Sequence, residues 1–246
     1  MRNNSANDSF LVREFERLTP SGAGLDYGCG AGHLISYAVR RGLDFWGAET
    51  YYGDPEQWQP HVDAEIPDDA RDRIRLLDDR LRIPFDDATF DFVCSNQVLE
   101  HVKDIAVTAS EIARVTKLGG YGIHLFPLRE TIVEAHIGVP FFHRIPRRLR
   151  RIYARPWHRA KIALYSHAIP DWDEWFTERG GFFENHVHLR SFRDVKRAFD
   201  PFFAVQSIEA YKLGFHLGHP IKKEIPLARF VEHRRVGAAL LMLRRD

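Results

Sequence analysis

Apolar and polar positions follow two rhythms along this chain. Residues 9–18 carry apolar side chains at helical spacing and stop at Thr19-Pro20. Short apolar runs then recur at 24–27, 44–48, 74–77, 90–95 and 121–126, each the length of a buried strand. Helical patterns at 34–41 and 104–116 stand between them, the second read as closed by Lys117-Leu118-Gly119-Gly120. Strands alternating with helices predict a parallel sheet covered on both faces. The tail predicts a helix over 191–199 and strands over 202–209 and 236–243, an antiparallel pair at one edge of the sheet. A loop or insertion is expected over 217–232, which carries two prolines and several charges. His186 and His188 alternate on what reads as an extended segment.

Residues 128–185 break the alternation. They hold Pro140, Pro146, Pro156 and Pro170 and a cluster of aromatics, and are too long for a structureless loop in a compact domain. A mostly helical insertion is predicted, lying over the C-terminal edge of the sheet, where open α/β sheets bind ligands. The whole of 1–246 is read as a single domain that contains this insertion.

Composition narrows the setting. A formal net charge of +1 gives no global attraction to nucleic acid or to an anionic membrane. Two cysteines, Cys29 and Cys94, argue for a reducing compartment. Residues 1–9 lack the apolar core of a signal peptide, and 236–243 is too short to span a bilayer. A cytoplasmic protein is expected.

The candidate chemistry begins at Leu25-Asp26-Tyr27-Gly28-Cys29-Gly30-Ala31-Gly32-His33, a strand, tight turn and helix start with glycines at alternate positions. The helix directs free N–H groups at the turn, favouring an anionic group there. The spacing is not G-x-G-x-x-G, because His33 stands where the last glycine would fall, and the Gly-Lys-Ser/Thr of a Walker loop is absent. Glu49 ends the second strand about twenty residues on, where a carboxylate can accept from ribose hydroxyls. Asp79, or alternatively Asp78, follows the third strand and can accept from an adenine amino group. Cys94-Ser95-Asn96-Gln97-Val98-Leu99-Glu100-His101-Val102 follows the fourth.

With these segments in order, and Leu118-Gly119-Gly120-Tyr121 after them, the chain resembles class I S-adenosylmethionine-dependent methyltransferases. Within that class it is similar to the ubiquinone and menaquinone biosynthesis group. The resemblance covers residues 20–126 and resumes at 185–192. It implies a Rossmann-like α/β sheet, mostly parallel with the last strand antiparallel, and S-adenosylmethionine as cofactor. It also implies that Asp26, Gly28 and Gly30 surround the methionine part and Glu49 holds the ribose. Asp79 and the Arg80 backbone would meet the adenine, and Asn96 would wall the sulfonium. Gly32 would let the helix pack closely. The anionic group at the loop is then an amino-acid carboxylate.

The acceptor side is less specified. Glu134, His136 and His143 lie among apolar residues just past the fifth strand. His136 is read as general base, since imidazole titrates near neutrality, with Glu134 orienting it or binding the acceptor and His143 as second choice. Bracing of the insertion is the competing role for all three. Their spacing matches no metal motif, and no metal is expected. His101 is read as structural, packing beside Glu100 at a helix start. Arg144 to Lys161 is strongly basic without an acid. It reads as a solvated helix face, or as a site for an anionic acceptor or a membrane surface. Trp157, Trp172, Trp175, Phe176, Phe182 and Phe183 are read mostly as the insertion's own core, with a stacking wall for a sugar ring as the alternative. The insertion resembles that of methyltransferases of surface-polysaccharide and glycan pathways, so O-methylation of a sugar, glycan or other small-molecule hydroxyl is expected. C- or N-methylation of a small metabolite or lipid-like ring stays open, as does a non-catalytic cofactor-binding partner subunit.

Overall fold

The computed structural model describes residues 6–51, 64–78, 80–218 and 238–245. Helix α1 (Ala6–Leu18) leads into β1 (Ala23–Tyr27), α2 (His33–Val39), β2 (Asp44–Glu49) and β3 (Ile74–Leu76). β4 (Phe90–Asn96), the helix Ile105–Val115 and β5 (Thr116–Phe126) follow. After the insertion come the helix Phe192–Phe199, β6 (Phe203–Ser207), the helix Glu209–Leu217 and β7 (Ala238–Arg244). The seven strands lie in the order β3-β2-β1-β4-β5-β7-β6. β1 to β5 pair in parallel, and β7 runs antiparallel to both β5 and β6.

The reversal of strand order at β1 and β4 opens a crevice at the C-terminal ends of these strands, the usual ligand position in such sheets. Both faces are covered. Leu25, Phe90, Val93, Ile112, Phe199 and Met242 pack on one side, and Phe10, Phe15, Ile35, Phe45, Phe92 and Ile123 on the other.

Two elements differ from the sequence reading. β5 starts at Thr116, five residues before the expected strand, and the expected helix stop is strand. Asp91 explains the early start: its Oδ2 accepts from Ala23 N at 2.9 Å and Lys117 Nζ at 2.8 Å, fastening the beginnings of β1 and β5 to β4. Gly119, with φ +76, takes up the register shift. The C-terminal strand expected over 202–209 ends at Ser207, and the helix Glu209–Leu217 succeeds it. Tyr211 of that helix donates to Glu14 of α1 at 2.6 Å, so a tertiary contact anchors an element whose local signal is weak. Residues 219–232 of the expected loop lie outside the described residues.

The insertion holds the helices Arg147–Arg159, Trp172–Trp175 and Gly181–His186, with a π turn at Phe176–Gly180. Ile137, Val139, Phe142, Ala154, Trp175 and Phe183 form a separate core there. Phe182, by contrast, stands exposed. His186 closes a helix rather than lying on an extended segment, because Val187 N–H caps back to Phe183. Cys29 and Cys94 are buried free thiols, and among the described residues no helix is long and apolar enough to cross a membrane.

Candidate functional site

The glycine loop joins β1 to α2 under tight steric control. Gly28 has φ +75, and a side chain there would meet Val98 Cγ2 at 2.4 Å. Gly32 has φ +71 and would meet Ile74 Cδ1 at 2.9 Å, so it sets how closely α2 approaches the sheet. Gly30, between them, faces open space. Its N–H donates to Glu49 Oε2 at 2.5 Å, while Thr50 N–H donates to Oε1 at 2.7 Å. Tyr51 donates its hydroxyl to Gly30 O at 2.8 Å. Burial raises the Glu49 carboxyl above its ordinary value, and those two N–H groups oppose the rise. Each oxygen retains a second lone pair for a hydroxyl. A cavity of about 280 Å³ opens here, lined among others by Tyr27, Gly28, Glu49, Leu77, Val98 and His101.

Asp26 is buried beneath the loop, and Cys94 Sγ lies 3.8 Å from its Oδ1. Burial, then Asp8 and Glu49, push its carboxyl well above the usual range. Asp8 and Asn7 of α1 belong to this region and gave no local sequence signal. Asn96, expected beside the sulfonium, turns toward α1: its Oδ1 accepts from Asn7 at 2.9 Å and its Nδ2 donates to Asp8 at 3.4 Å. Gln97, with φ +59, lines the cavity in its place. Asp78 Oδ1 accepts from Arg80 N–H at 2.9 Å and Arg82 N–H at 2.8 Å. It is thereby a turn cap, and the Arg80 N–H is already engaged. Asp79 lies outside the described residues.

A second group of side chains gathers beyond β4 and β5. Glu134 is fully buried. Its Oε2 accepts from His136 N–H at 2.8 Å and Ile137 N–H at 2.7 Å, building the turn that follows β5. Its Oε1 lies 2.7 Å from His136 Nδ1. The same carboxylate braces the turn and orients the ring. His101, expected to be structural, reaches both this group and the cavity wall. Its Nδ1 lies 2.8 Å from His186 O, and its ring meets that of His136 edge to face, with centroids 5.1 Å apart. Phe182 packs against both rings. Glu100 beside them is buried with neither carboxylate oxygen bonded, and burial pushes it up to about 8, with Glu134 adding to the rise.

Arg190 fixes the loop that carries Glu100 and His101. Its guanidinium donates to the carbonyls of Leu99 (3.2 Å), His188 (3.0 Å), Val102 (2.6 Å) and Lys103 (2.8 Å). His188 N–H completes the junction by donating to Glu100 O at 2.6 Å. His143 stands apart from the His101–His136 group, with Nε2 3.0 Å from Arg129 O.

The basic run forms the helix Arg147–Arg159. Arg147 pairs with Glu184, and Arg151 with Asp173. Arg148, Arg155 and Arg159 are exposed with no acidic partner among the described residues. They share one face with Ile152, which is 72% exposed.

Comparison with known proteins agrees with this architecture. The uncharacterized methyltransferase C1B3.06c of Schizosaccharomyces pombe is 30% identical over 112 residues, 39% of this chain and 37% of that protein. The chain thus matches well under half the length of this curated relative. Among solved structures, an S-adenosylmethionine-dependent methyltransferase of Mesorhizobium loti superposes with a TM-score of 0.54 at 16% identity, covering 98% and 99% of the two chains. Geranyl diphosphate C-methyltransferase of Streptomyces coelicolor A3(2), solved with Mg²⁺, geranyl-S-thiolodiphosphate and S-adenosyl-L-homocysteine, gives 0.52 at 17% identity, covering 98% and 76%. These likenesses establish the fold. A methyltransferase-domain family model matches residues 2–202, most of the chain, and with it the protein belongs to the class I S-adenosylmethionine-dependent methyltransferases.

Proposed function

We propose that this methyltransferase acts on a hydroxyl oxygen of a small molecule or glycan, bound where the insertion 128–185 meets the C-terminal edge of the sheet. The observation that carries the reading is the 2.7 Å contact between Glu134 and His136 Nδ1, within ring contact of His101 at the cavity wall. A hydroxyl is a poor nucleophile and gains from a base, whereas activated carbon or nitrogen acceptors need none.

S-adenosylmethionine, when bound, supplies a methyl carbon that is already electrophilic. Asp26, Gly28, Gly30, Glu49 and Asp79 are the residues we assign to its binding, with Gln97 in the place expected of Asn96, which bonds to α1, and without the Arg80 N–H, which Asp78 holds. The fit rests on the loop: Gly30 has open space above it, and the half-buried Glu49 lines the cavity with lone pairs to spare. Asp8 joins the set, because its carboxylate and that of Asp26 interact under the loop and suit the α-ammonium of an amino acid.

The chain itself then has one proton to move. Glu134 holds the His136 ring with Nδ1–H toward itself, which leaves Nε2 as the lone pair that takes the hydroxyl proton. Glu134 also stabilises the resulting imidazolium. His143 is the reserve base.

The unpaired Arg148, Arg155 and Arg159 favour an anionic acceptor, such as a sugar phosphate, or one presented at an anionic membrane surface. A transfer assay with labelled methyl donor across sugars, sugar phosphates and lipid extracts tests the reading. Labelled hydroxyl product supports it, and labelled carbon or nitrogen product replaces it. If S-adenosylhomocysteine binds in calorimetry but no acceptor class is labelled, the partner-subunit reading takes over.

A further inference from the structure

Glu100, His101 and His136 bring one donor atom each into one small volume. Glu134 and the His186 carbonyl can only accept, so each imidazole carries its hydrogen on Nδ1 and exposes a bare Nε2. Glu100 adds a carboxylate whose side chain is fully buried and whose two oxygens have no hydrogen-bond partner. One donor atom from each of these residues lies within 4.8 Å of the others. A cation in this volume would give the carboxylate and the two bare nitrogens the partner they lack. A shared proton does not supply it, since Glu100 Oε1 and His101 Nε2 are 3.9 Å apart, beyond hydrogen-bond reach.

We propose that Glu100, His101 and His136 form a binding site for a divalent transition-metal cation. Two imidazoles and one carboxylate suit Zn²⁺ and its first-row neighbours rather than Mg²⁺ or Ca²⁺, which prefer oxygen ligands throughout. Both histidines already have the supports that metal-bound imidazoles use, a carboxylate on one Nδ1 and a backbone carbonyl on the other. Ligands at about 2.1 Å from one tetrahedral ion lie about 3.4 Å apart, so loading draws together any pair of donor atoms wider than that. Three protein ligands leave a coordination position free, and His101 sets that position beside the donor cavity.

The use of the site rests on the hydroxyl-methylation reading. A hydroxyl oxygen bound at the open position becomes more acidic and gives its proton to solvent water, so His136 serves as ligand in the loaded enzyme. Its Nε2 serves as base only in the metal-free form.

The test uses the full chain, stripped with a chelator and titrated with Co²⁺ alone. Calorimetry and the visible absorption of Co²⁺ should report one equivalent bound at micromolar affinity or tighter. Glu100→Gln and His136→Asn should each weaken that equivalent by about 100-fold or more, and Glu134→Gln by about 10- to 100-fold. Near-ultraviolet circular dichroism checks the fold of each variant; should Glu100→Gln not fold, His136→Asn and His101→Asn decide. The proposal is overturned if millimolar Co²⁺ does not bind, or binds equally well to the folded variants. The two readings fail separately. An ion bound without any labelled hydroxyl product sinks hydroxyl methylation and leaves the site standing. Full transfer by the stripped enzyme removes the ion from the reaction, and its role with it.

Discussion

The proposed donor side and the proposed acceptor side of this protein are built by different means. The donor side is backbone: a turn whose glycines pass beneath Val98 and against Ile74, closed by N–H groups of Gly30 and Thr50 on one carboxylate. Its closing contact, Gly30 N–H on Glu49, spans 19 residues. The acceptor side is side chain on backbone across long separations. Arg190 reaches carbonyls 87 to 91 residues away, and His101 reaches the His186 carbonyl 85 residues away. The first can be inherited as a short motif; the second exists only once the insertion has folded onto the sheet.

Substitutions should separate the two halves, the largest effect first. His136→Ala should lower turnover by about 10²- to 10⁴-fold while S-adenosylhomocysteine affinity stays within twofold. Equal loss of both, measured by steady-state kinetics and calorimetry, would merge the halves. Gly28→Ala should do the reverse. Its positive φ and the close approach of Val98 make it cost about 1–3 kcal/mol and impair cofactor binding, as urea denaturation and calorimetry would read.

Arg190→Met keeps the aliphatic stem but strands four carbonyls. We expect about 2 kcal/mol of lost stability in urea and a fall in turnover, with cofactor affinity preserved. Glu49→Ala should weaken S-adenosylhomocysteine by about tenfold without unfolding the chain, and unchanged affinity would remove its ribose role. The smallest effect belongs to the surface. Replacing Arg148, Arg155 and Arg159 together by Ser should leave stability within about 0.5 kcal/mol. It should still raise KM for an anionic acceptor, a rise that high salt in the wild type would reproduce.

The same contrast explains what could be read in advance. β1 to β4 and the donor loop were legible because apolar runs and glycine turns are local signals. Thr116 to Gly120 was not, since its glycines look like a helix stop unless Asp91 is known to fasten Lys117 to the sheet. Glu209–Leu217 was missed because its stability comes from contacts with α1, including Tyr211 on Glu14. The association of His136 with Glu134 is two residues long and was visible in the sequence. That of His136 with His101 and Glu100 was not, because nothing near residue 100 announces which distant residue it will face. His143 shares apolar surroundings with His136 in sequence, yet its ring bonds to the chain at Arg129. Asp8 and Asn7 sit on an ordinary amphipathic helix and acquire meaning only where α1 crosses Asp26 and Asn96.

The Arg190 contacts carry one more consequence. Every hydrogen-bond partner of that guanidinium among the described residues is a main-chain oxygen, indifferent to the side chain it belongs to. Positions 102 and 103, which line the cavity, can therefore change identity without loosening the loop that holds them. A lineage of such proteins could reshape this cavity wall by drifting at Val102 and Lys103 while the frame around them stays still.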